Sequence, residues 1–472
     1  MESNNSLIIK APNFCKAEIS WTIEQIFSEF LGIDYLLQFH KEESFSISSP
    51  LTEKELIIET EFFKTLRNKW LDESSLPKGR PLIMDCSFLN DSSKLMHQEI
   101  PVIFGNQKFI ESGNQTIIGW DIFGSVFFLL SRYEENIIED KDIHNRFAAE
   151  SSWACKNNYL DRPLVNEYVL FISLYLIELD FIKDIKKRNF RYIVTSDIDV
   201  PYSHSIKSFY SYITQIGGDL IKRKNILLAL KDAINPILFR LGITKFDPFY
   251  KYFDWMMDIN EGYGHSIMFY VMINQGISKY DGKYDLNEPL IIKLIKNIVQ
   301  RGHKIGIHFS YESYKDIDLL KQELNIFKKQ MNKEDIDIFD NKIYSRQHVL
   351  RWDNSITPTL LNEISVFQDS SMSYHNHIGF RSGVCFEYKM YDLVNRKSLK
   401  IKQSPLIIME ASLFEKKYMN LRPKKQTFNM VLNYKKTCSF YNGDFNILWH
   451  NNRFIEPGYK DFYKGILNPK LM

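Results

Sequence analysis

The sequence predicts an α/β protein in two parts: a smaller α+β N-terminal domain over residues 1–185 and, over 186–472, a parallel sheet or barrel with helices outside. Three observations carry this expectation. From about residue 188, short apolar runs alternate six or seven times with helix-like stretches, the rhythm of repeated βα units. Those runs end, one after another, in Asp, His or Arg, as expected where chemistry gathers at the C-terminal ends of parallel strands. A chain of 472 residues is also too long for one ordinary compact core.

In the N-terminal part, "ELIIETEFF", "PLIMDCSFL" and "IPVIFG" read as short apolar runs, and "WDIFGSVFFLLSRYEE" and "RPLVNEYVLFISLYLIEL" as helices. Pro163 stands near the start of the second helix, where a missing N–H costs little. After residue 188, "FRYIVTSDID", "HSIMFYVMI", "HKIGIHFS", "NKIYSRQHVL", "ISVFQDSS", "SPLIIMEAS" and "FNILWHN" read as strands. Helices are expected at about 287–302 and 317–331, and a long helical insertion at about 205–262. No internal repeat or low-complexity tract interrupts this pattern.

Composition excludes several function classes. With 44% hydrophobic, 14% aromatic and 25% charged residues, the chain has the make-up of a folded protein. Sixty basic residues against 58 acidic ones leave a net charge of +2, so no bulk field points to nucleic acid or to an anionic membrane. The five cysteines are odd in number, scattered and without a C-x-x-C pair, which argues against a disulfide framework or a thiolate zinc site. The N-terminus lacks the basic start and apolar core of a signal peptide. The longest apolar stretch, Tyr168 to Ile177, is about half of the ~20 residues needed to span a bilayer. A cytoplasmic location with no stable membrane insertion is expected, and the pattern specifies no oligomeric state.

Residues two apart on a strand project from one face, so Asp197 and Asp199 in "VTSDIDVP" should converge on one small volume. Two carboxylates held so closely repel, and one must be protonated or neutralised by a cation. Pro201 cannot continue the ladder and ends the strand just past them. The competing reading is a pair of solvated acids before a proline turn. His308 follows the apolar Ile305, Gly306 and Ile307, where a neutral imidazole can ligate a divalent ion or serve as a hydrogen-bonded structural group. Glu312, four residues on, shares its face if the chain turns helical there. His303 reads as an exposed residue at a helix–strand junction. Arg346, His348, Asp369 and His450 each close a later apolar run.

In this order the motifs resemble the polysaccharide deacetylase family, carbohydrate esterase family four, over residues 188 to about 455. The resemblance implies a distorted barrel of about seven strands that removes acetyl groups from N- or O-acetylated sugars with a divalent metal ion. It implies that Asp197 is the general base and Asp199 a metal ligand, and "GHKIGIH" makes His308 the first metal histidine. The family's second histidine falls where this chain has Glu312, so Glu312, His348 or His204 is expected in that ligand position. Zinc is the expected ion; a carboxylate ligand would shift preference toward manganese or magnesium, with cobalt also compatible. Arg346 resembles the arginine that holds the base ionised, Asp369 the acid paired with such an arginine, and "GFRSG" adds Arg381. Leu448, Trp449 and His450 resemble the terminal Leu-x-His, in which the leucine lines the acetyl-methyl pocket and the histidine protonates the leaving amine. Leu448, Trp449, Arg381 and Tyr311 are the expected substrate contacts.

The segments "DIFGSVFFLLSRYEE", "NRFAAESSWA" and "LDRPLVNEY" resemble a domain of unassigned function that precedes a bacterial branch of these deacetylases, often with "HxSY" as in "HFSY". Arg132, Glu134, Glu135, Asp142 and Arg146 could shape a binding surface there, or form a helix-end charge cluster. The expected partner is an acetylated glycan of the bacterial envelope or its lipid-linked or nucleotide-linked sugar precursor. Two rivals stand beside this reading. A haloacid-dehalogenase-like phosphatase also begins with an apolar strand and D-x-D, but the only downstream "GD" candidate for its acidic pair, Gly443–Asp444, has Leu448 where a second acid would fall, and that reading leaves "GHKIGIH" and "LWHN" unexplained. A catalytically silent glycan-binding protein would use Trp352, Tyr374 and Trp449 to stack on sugars.

Overall fold

The structure, a computed structural model, describes residues 6–203, 247–273, 278–282 and 284–471. Contacts divide the chain into two units, each assembled from separate stretches of sequence. The first comprises Met1–Arg191, Trp352–Ile407 and Lys436–Phe445; the second comprises Tyr192–Arg351, Ile408–Lys435 and Asn446–Met472. The expectation was a single cut near residue 185.

In the first unit, alternating apolar residues fold into strands β1 (Leu7–Pro12), β2 (Tyr35–His40), β3 (Phe45–Ser48), β4 (Glu55–Ile58), β5 (Leu82–Asp85), β6 (Glu99–Val102), β7 (Gly105–Ser112) and β8 (Gln115–Trp120). Six of them form a mixed sheet in the order β2-β1-β3-β4-β8-β7, and β5 pairs with β6 in a separate antiparallel ribbon. The expected helices are Ile122–Leu130 and Leu164–Glu178. Asp121 starts the former: one carboxylate oxygen accepts the Gly124 N–H at 2.8 Å and the other accepts those of Glu61 and Phe62, so the acid caps the helix and anchors a neighbouring turn.

The second unit is built on β9 (Arg191–Ile198), β10 (Ile267–Val271), β11 (Lys304–Phe309), β12 (Tyr344–Gln347), β16 (Ile408–Met409) and β17 (Asp444–Leu448), with the opening residues Arg191 of β9 and Asp444 and Phe445 of β17 counted in the first. The remaining strands, β13 (Gln368–Asp369), β14 (Tyr388–Asp392) and β15 (Lys397–Gln403), fall in the first unit's segments. In the second unit the order is β12-β11-β10-β9-β17-β16, and β9 to β12 are mutually parallel, with Ile267 opposite Val194 and Ile307 opposite Ser345. Every residue of β10 is buried, as in a parallel sheet covered on both faces. Helices Lys251–Gly262, Pro289–Gln300 and Ile317–Lys333 lie between the strands in sequence, the second opening on proline as anticipated for a helix start. Among the described residues no pairing joins β12 to β16, so the barrel expected from the resemblance is not shown; the structure shows a mixed α/β protein with several sheets. Of the expected insertion, 204–246 lie outside the described residues. No helix among the described residues is long and apolar enough to cross a membrane.

Gly306, in the middle of β11, is required by packing. A Cβ there would meet the Tyr270 ring at 2.7 Å and the Tyr344 carbonyl at 2.8 Å. Without one, the Tyr270 ring has room beside β11, and its face lies 4.7 Å from the Arg346 guanidinium carbon.

Candidate metal centre and catalytic groups

The parallel strands deliver their terminal polar residues to one place. Asp197 and Asp199 come from the end of β9, His308 from β11, Arg346 and His348 from the end of β12, and His450 follows β17. Asp199, His308 and His348 each offer one ligand atom, and these three atoms lie within 4.8 Å of one another. His308 Nε2 is 3.2 Å from Asp199 Oδ1 and 3.6 Å from Asp197 Oδ2; His348 Nε2 and His450 Nε2 are 3.8 and 3.4 Å from Asp199 Oδ2.

The imidazoles are oriented from behind. The Arg346 carbonyl can only accept, so His308 Nδ1 carries the proton of that 3.0 Å contact, and Nε2 is the ring atom turned toward Asp199. Asp281 takes His348 Nδ1 at 2.9 Å and also accepts the Tyr311 N–H at 2.8 Å. Glu410 takes His450 Nδ1 at 2.6 Å. Carboxylate or carbonyl support on the far ring nitrogen is what metal-binding and acid–base histidines need to fix tautomer and direction. Asp281 and Glu410 went unnoticed in the sequence: Asp281 reads as a turn residue, whereas Glu410 closes the apolar run "LIIME" as the other site residues close theirs.

Electrostatics favours positive charge at this point. Burial alone would raise the Asp199 carboxyl, but His348, His308 and His450 outweigh it and hold it well below the ordinary range. Burial opposes protonation of His450, yet Glu410 and Asp199 raise it well above a free imidazole. His308 is raised against burial by Asp197 and Asp199. Asp197 Oδ1 is buried without a hydrogen-bond donor. Two imidazole nitrogens and a carboxylate, beside a second buried carboxylate, form a donor set that could hold a metal ion. Arg346, fully buried, places Nη1 3.6 Å from Asp197 Oδ1 and donates from Nη2 to Thr195 Oγ1 at 3.0 Å.

Other expected residues lie elsewhere. Glu312 is not in the cluster: after β11 the chain makes a short 3-10 turn at Ser313–Lys315 instead of continuing as an α-helix, and the half-exposed Glu312 carboxylate pairs with Arg351 at 3.1 Å. His204 lies outside the described residues. Tyr311 is buried, its ring 3.9 Å from the Arg351 guanidinium carbon and 4.6 Å from the Tyr280 ring. Leu448 and Trp449 are buried, and Trp449 packs parallel to Phe454 at 5.6 Å, so its indole is core and has no free face for a sugar. Trp352 and Tyr374 are buried too. His303 is not exposed: it is buried, its Nδ1 accepts the Ile267 N–H at 3.1 Å and its Nε2 lies 3.2 Å from Glu261.

In the first unit, Asp369 closes β13 and accepts from the Ser371 N–H at 2.7 Å. Arg381 is taken up by Glu135 at 2.6 Å and by the Ser373 carbonyl at 2.7 Å, and Arg132 binds both Glu134 and Glu135 at 2.8 Å. Arg132, Glu134, Glu135 and Arg381 are all buried, so this is an internal ion-pair network rather than a binding surface. Asp142 and Arg146 pair with each other at 2.6 Å. Asp444 opens β17 and is held by two Arg191 nitrogens at 2.6 and 2.7 Å, which leaves it engaged as the phosphatase reading would not have it.

A profile for a family of unknown function, DUF7033, matches residues 7–180. No curated protein matches the chain. Among solved structures, one from Mycobacterium smegmatis, provisionally described as a polysaccharide deacetylase, is similar with a TM-score of 0.37 at 12% identity; the match covers 60% of this chain and 84% of that one.

Proposed function

We propose that this protein is a divalent-metal-dependent hydrolase that removes an acetyl group from an acetylated sugar of a bacterial envelope glycan or its precursor. The observation that carries the reading is the convergence of Asp199, His308 and His348 beside a second carboxylate, Asp197, and a carboxylate-backed imidazole, His450. The motif resemblance supplies the substrate class. Asp199, His308 and His348 would hold the ion, with His348 in the ligand position that Glu312 does not fill. When bound, the ion supplies Lewis acidity to the acetyl carbonyl.

The chain's own groups divide the proton transfers. Asp197, kept beside the Arg346 cation, accepts a proton from the attacking water. His450, held protonated by Glu410, donates to the departing sugar amine or hydroxyl. Asp281 and the Arg346 carbonyl keep His348 and His308 in the tautomer that presents Nε2. Arg346, lying over the Tyr270 face, holds Nη1 3.6 Å from Asp197 Oδ1 and so helps aim that carboxylate.

Acetate release from N-acetylated and O-acetylated oligosaccharides, with zinc, manganese or cobalt, tests the reading alongside metal analysis of wild type and Asp199→Ala. Release by the wild type, with stoichiometric metal lost in Asp199→Ala, is expected. In Asp197→Asn, metal content stays and the rate falls by about 10²–10⁴, the usual worth of a general base. No release with any of these ions favours the glycan-binding rival.

A further inference from the structure

The first unit contains a cavity of about 380 Å³ that the proposed reaction does not use. Its size falls in the ~300–1,000 Å³ range of small-molecule sites. One wall is the helix Leu164–Glu178, where Asn166, Val169, Leu170 and Ser173 recur at intervals that share a helical face. Phe30 and Phe386 add aromatic surface.

Two features give this apolar cavity a chemical preference. The first is charge: the consecutive Lys186, Lys187 and Arg188 line it, and among the described residues no carboxylate does. Arg188 is committed, donating to the Glu29 and Phe30 carbonyls and lying 4.3 Å from the Phe386 ring centre. Lys186 and Lys187 make no ion pair among the described residues; Glu29, the carboxylate that Lys186 influences at longer range, is paired with Lys389 at 2.9 Å, so both ammonium groups remain open to a ligand. The second is Asn166, only 2% exposed. Its Oδ1 accepts the Cys385 N–H at 3.0 Å, which fixes the amide's orientation, while its Nδ2 has no acceptor. A buried donor without an acceptor costs about 1–3 kcal/mol, and a ligand oxygen would satisfy it.

We propose that this cavity binds an amphipathic anion, a molecule with an aliphatic body and a carboxylate or phosphate head. The body lies against Val169, Leu170 and Phe386, the head is balanced by Lys186 and Lys187, and an oxygen of the ligand accepts the Asn166 amide N–H. Such a site would let the first unit hold the anionic, apolar end of a molecule independently of any chemistry at the metal centre.

Calorimetric titration of the full chain with octanoate, octyl phosphate and 1-octanol tests this. At least one anion should bind about tenfold more tightly than the neutral alcohol, and the preferred anion identifies the head. Leu170→Trp, which fills the cavity, should abolish binding. Lys187→Glu, at an exposed position, and Asn166→Asp, which keeps the Cys385 contact but replaces the donor by an oxygen, should each weaken the anions more than the alcohol. Should Leu170→Trp not fold, the other two variants decide. Octanol binding as tightly as both anions, unaltered anion binding in Lys187→Glu and Asn166→Asp, or no binding by any of the three compounds overturns the proposal.

Discussion

Replacing His348 and Glu312 separately by alanine discriminates between two third ligands. His348 Nε2 lies in the three-atom cluster, with Nδ1 braced by Asp281 at 2.9 Å. Removing merely the outer partner of a ligand usually costs 10–100-fold in metal affinity, so deleting the ligand itself should raise the zinc Kd by at least about 100-fold, about 2.7 kcal/mol. Glu312 has a side chain 50% exposed and one ion pair, to Arg351. A pair of that kind contributes about 0–1 kcal/mol to stability and nothing to the metal. Glu312→Ala should therefore leave the zinc Kd within about threefold of wild type, less than 0.7 kcal/mol by the same conversion. Competition titration with a chelating dye gives both constants, and thermal unfolding of the metal-free proteins checks that each variant folds. If Glu312→Ala loses as much affinity as His348→Ala, the assignment of the third ligand is wrong.

Three further outcomes follow from the structure. Glu410→Gln removes the charge that holds His450 protonated, so the alkaline fall in kcat/KM should move to lower pH by about one unit; an unmoved limb means His450 is not the acid. Gly306→Ala places a methyl group against the Tyr270 ring and should cost about 1–3 kcal/mol of overpacking, read from denaturant unfolding, with a drop in kcat from the displaced Arg346. Burial pushes Glu323 up to about 7, although it accepts the Ser310 N–H at 3.0 Å. Between the unfolded carboxyl pKa near 4.5 and that folded value the native state holds a proton the unfolded state has lost. Its stabilising contribution is thus complete below pH 4.5 and disappears as pH rises to 7, by about 3 kcal/mol at most. Glu323→Gln should flatten that slope in unfolding free energies measured across the same window.

How much of the site was legible depends on how local each signal is. Asp197, Asp199, His308 and His450 each end an apolar run, and a strand delivers its last residue to the sheet's C-terminal edge whatever the rest of the chain does. Those four lie together, and strands and helices from 188 onward fall largely where the alternation places them. Glu312 falls outside the cluster because its place there depended on a helix immediately after β11, whereas the chain turns in one 3-10 step. His348 appeared in the sequence as one of three options; its selection depends on where β12 ends and on Asp281, some seventy residues away in sequence. Trp449 illustrates the opposite error: its motif neighbours suggested ligand contact, but the aromatic residues that bury it, among them Phe454 and Tyr463, come later and carry no motif. The buried pairing of Arg132 and Arg381 with Glu135 likewise joins residues almost 250 positions apart, which no periodicity reveals.

The interleaved segments of the two units bear on how the protein is made and handled. During synthesis the first unit cannot be completed when residue 191 leaves the ribosome, because it also needs Trp352–Ile407 and Lys436–Phe445. The nascent N-terminal stretch must wait, with part of its apolar surface uncovered, while more than two hundred further residues are added. The second unit in turn finishes only with its last segment, from Asn446. A fragment cut near residue 185 would carry an unfinished core and should aggregate, so chaperone demand, truncation libraries and fusion designs all have to treat the polypeptide as one indivisible piece.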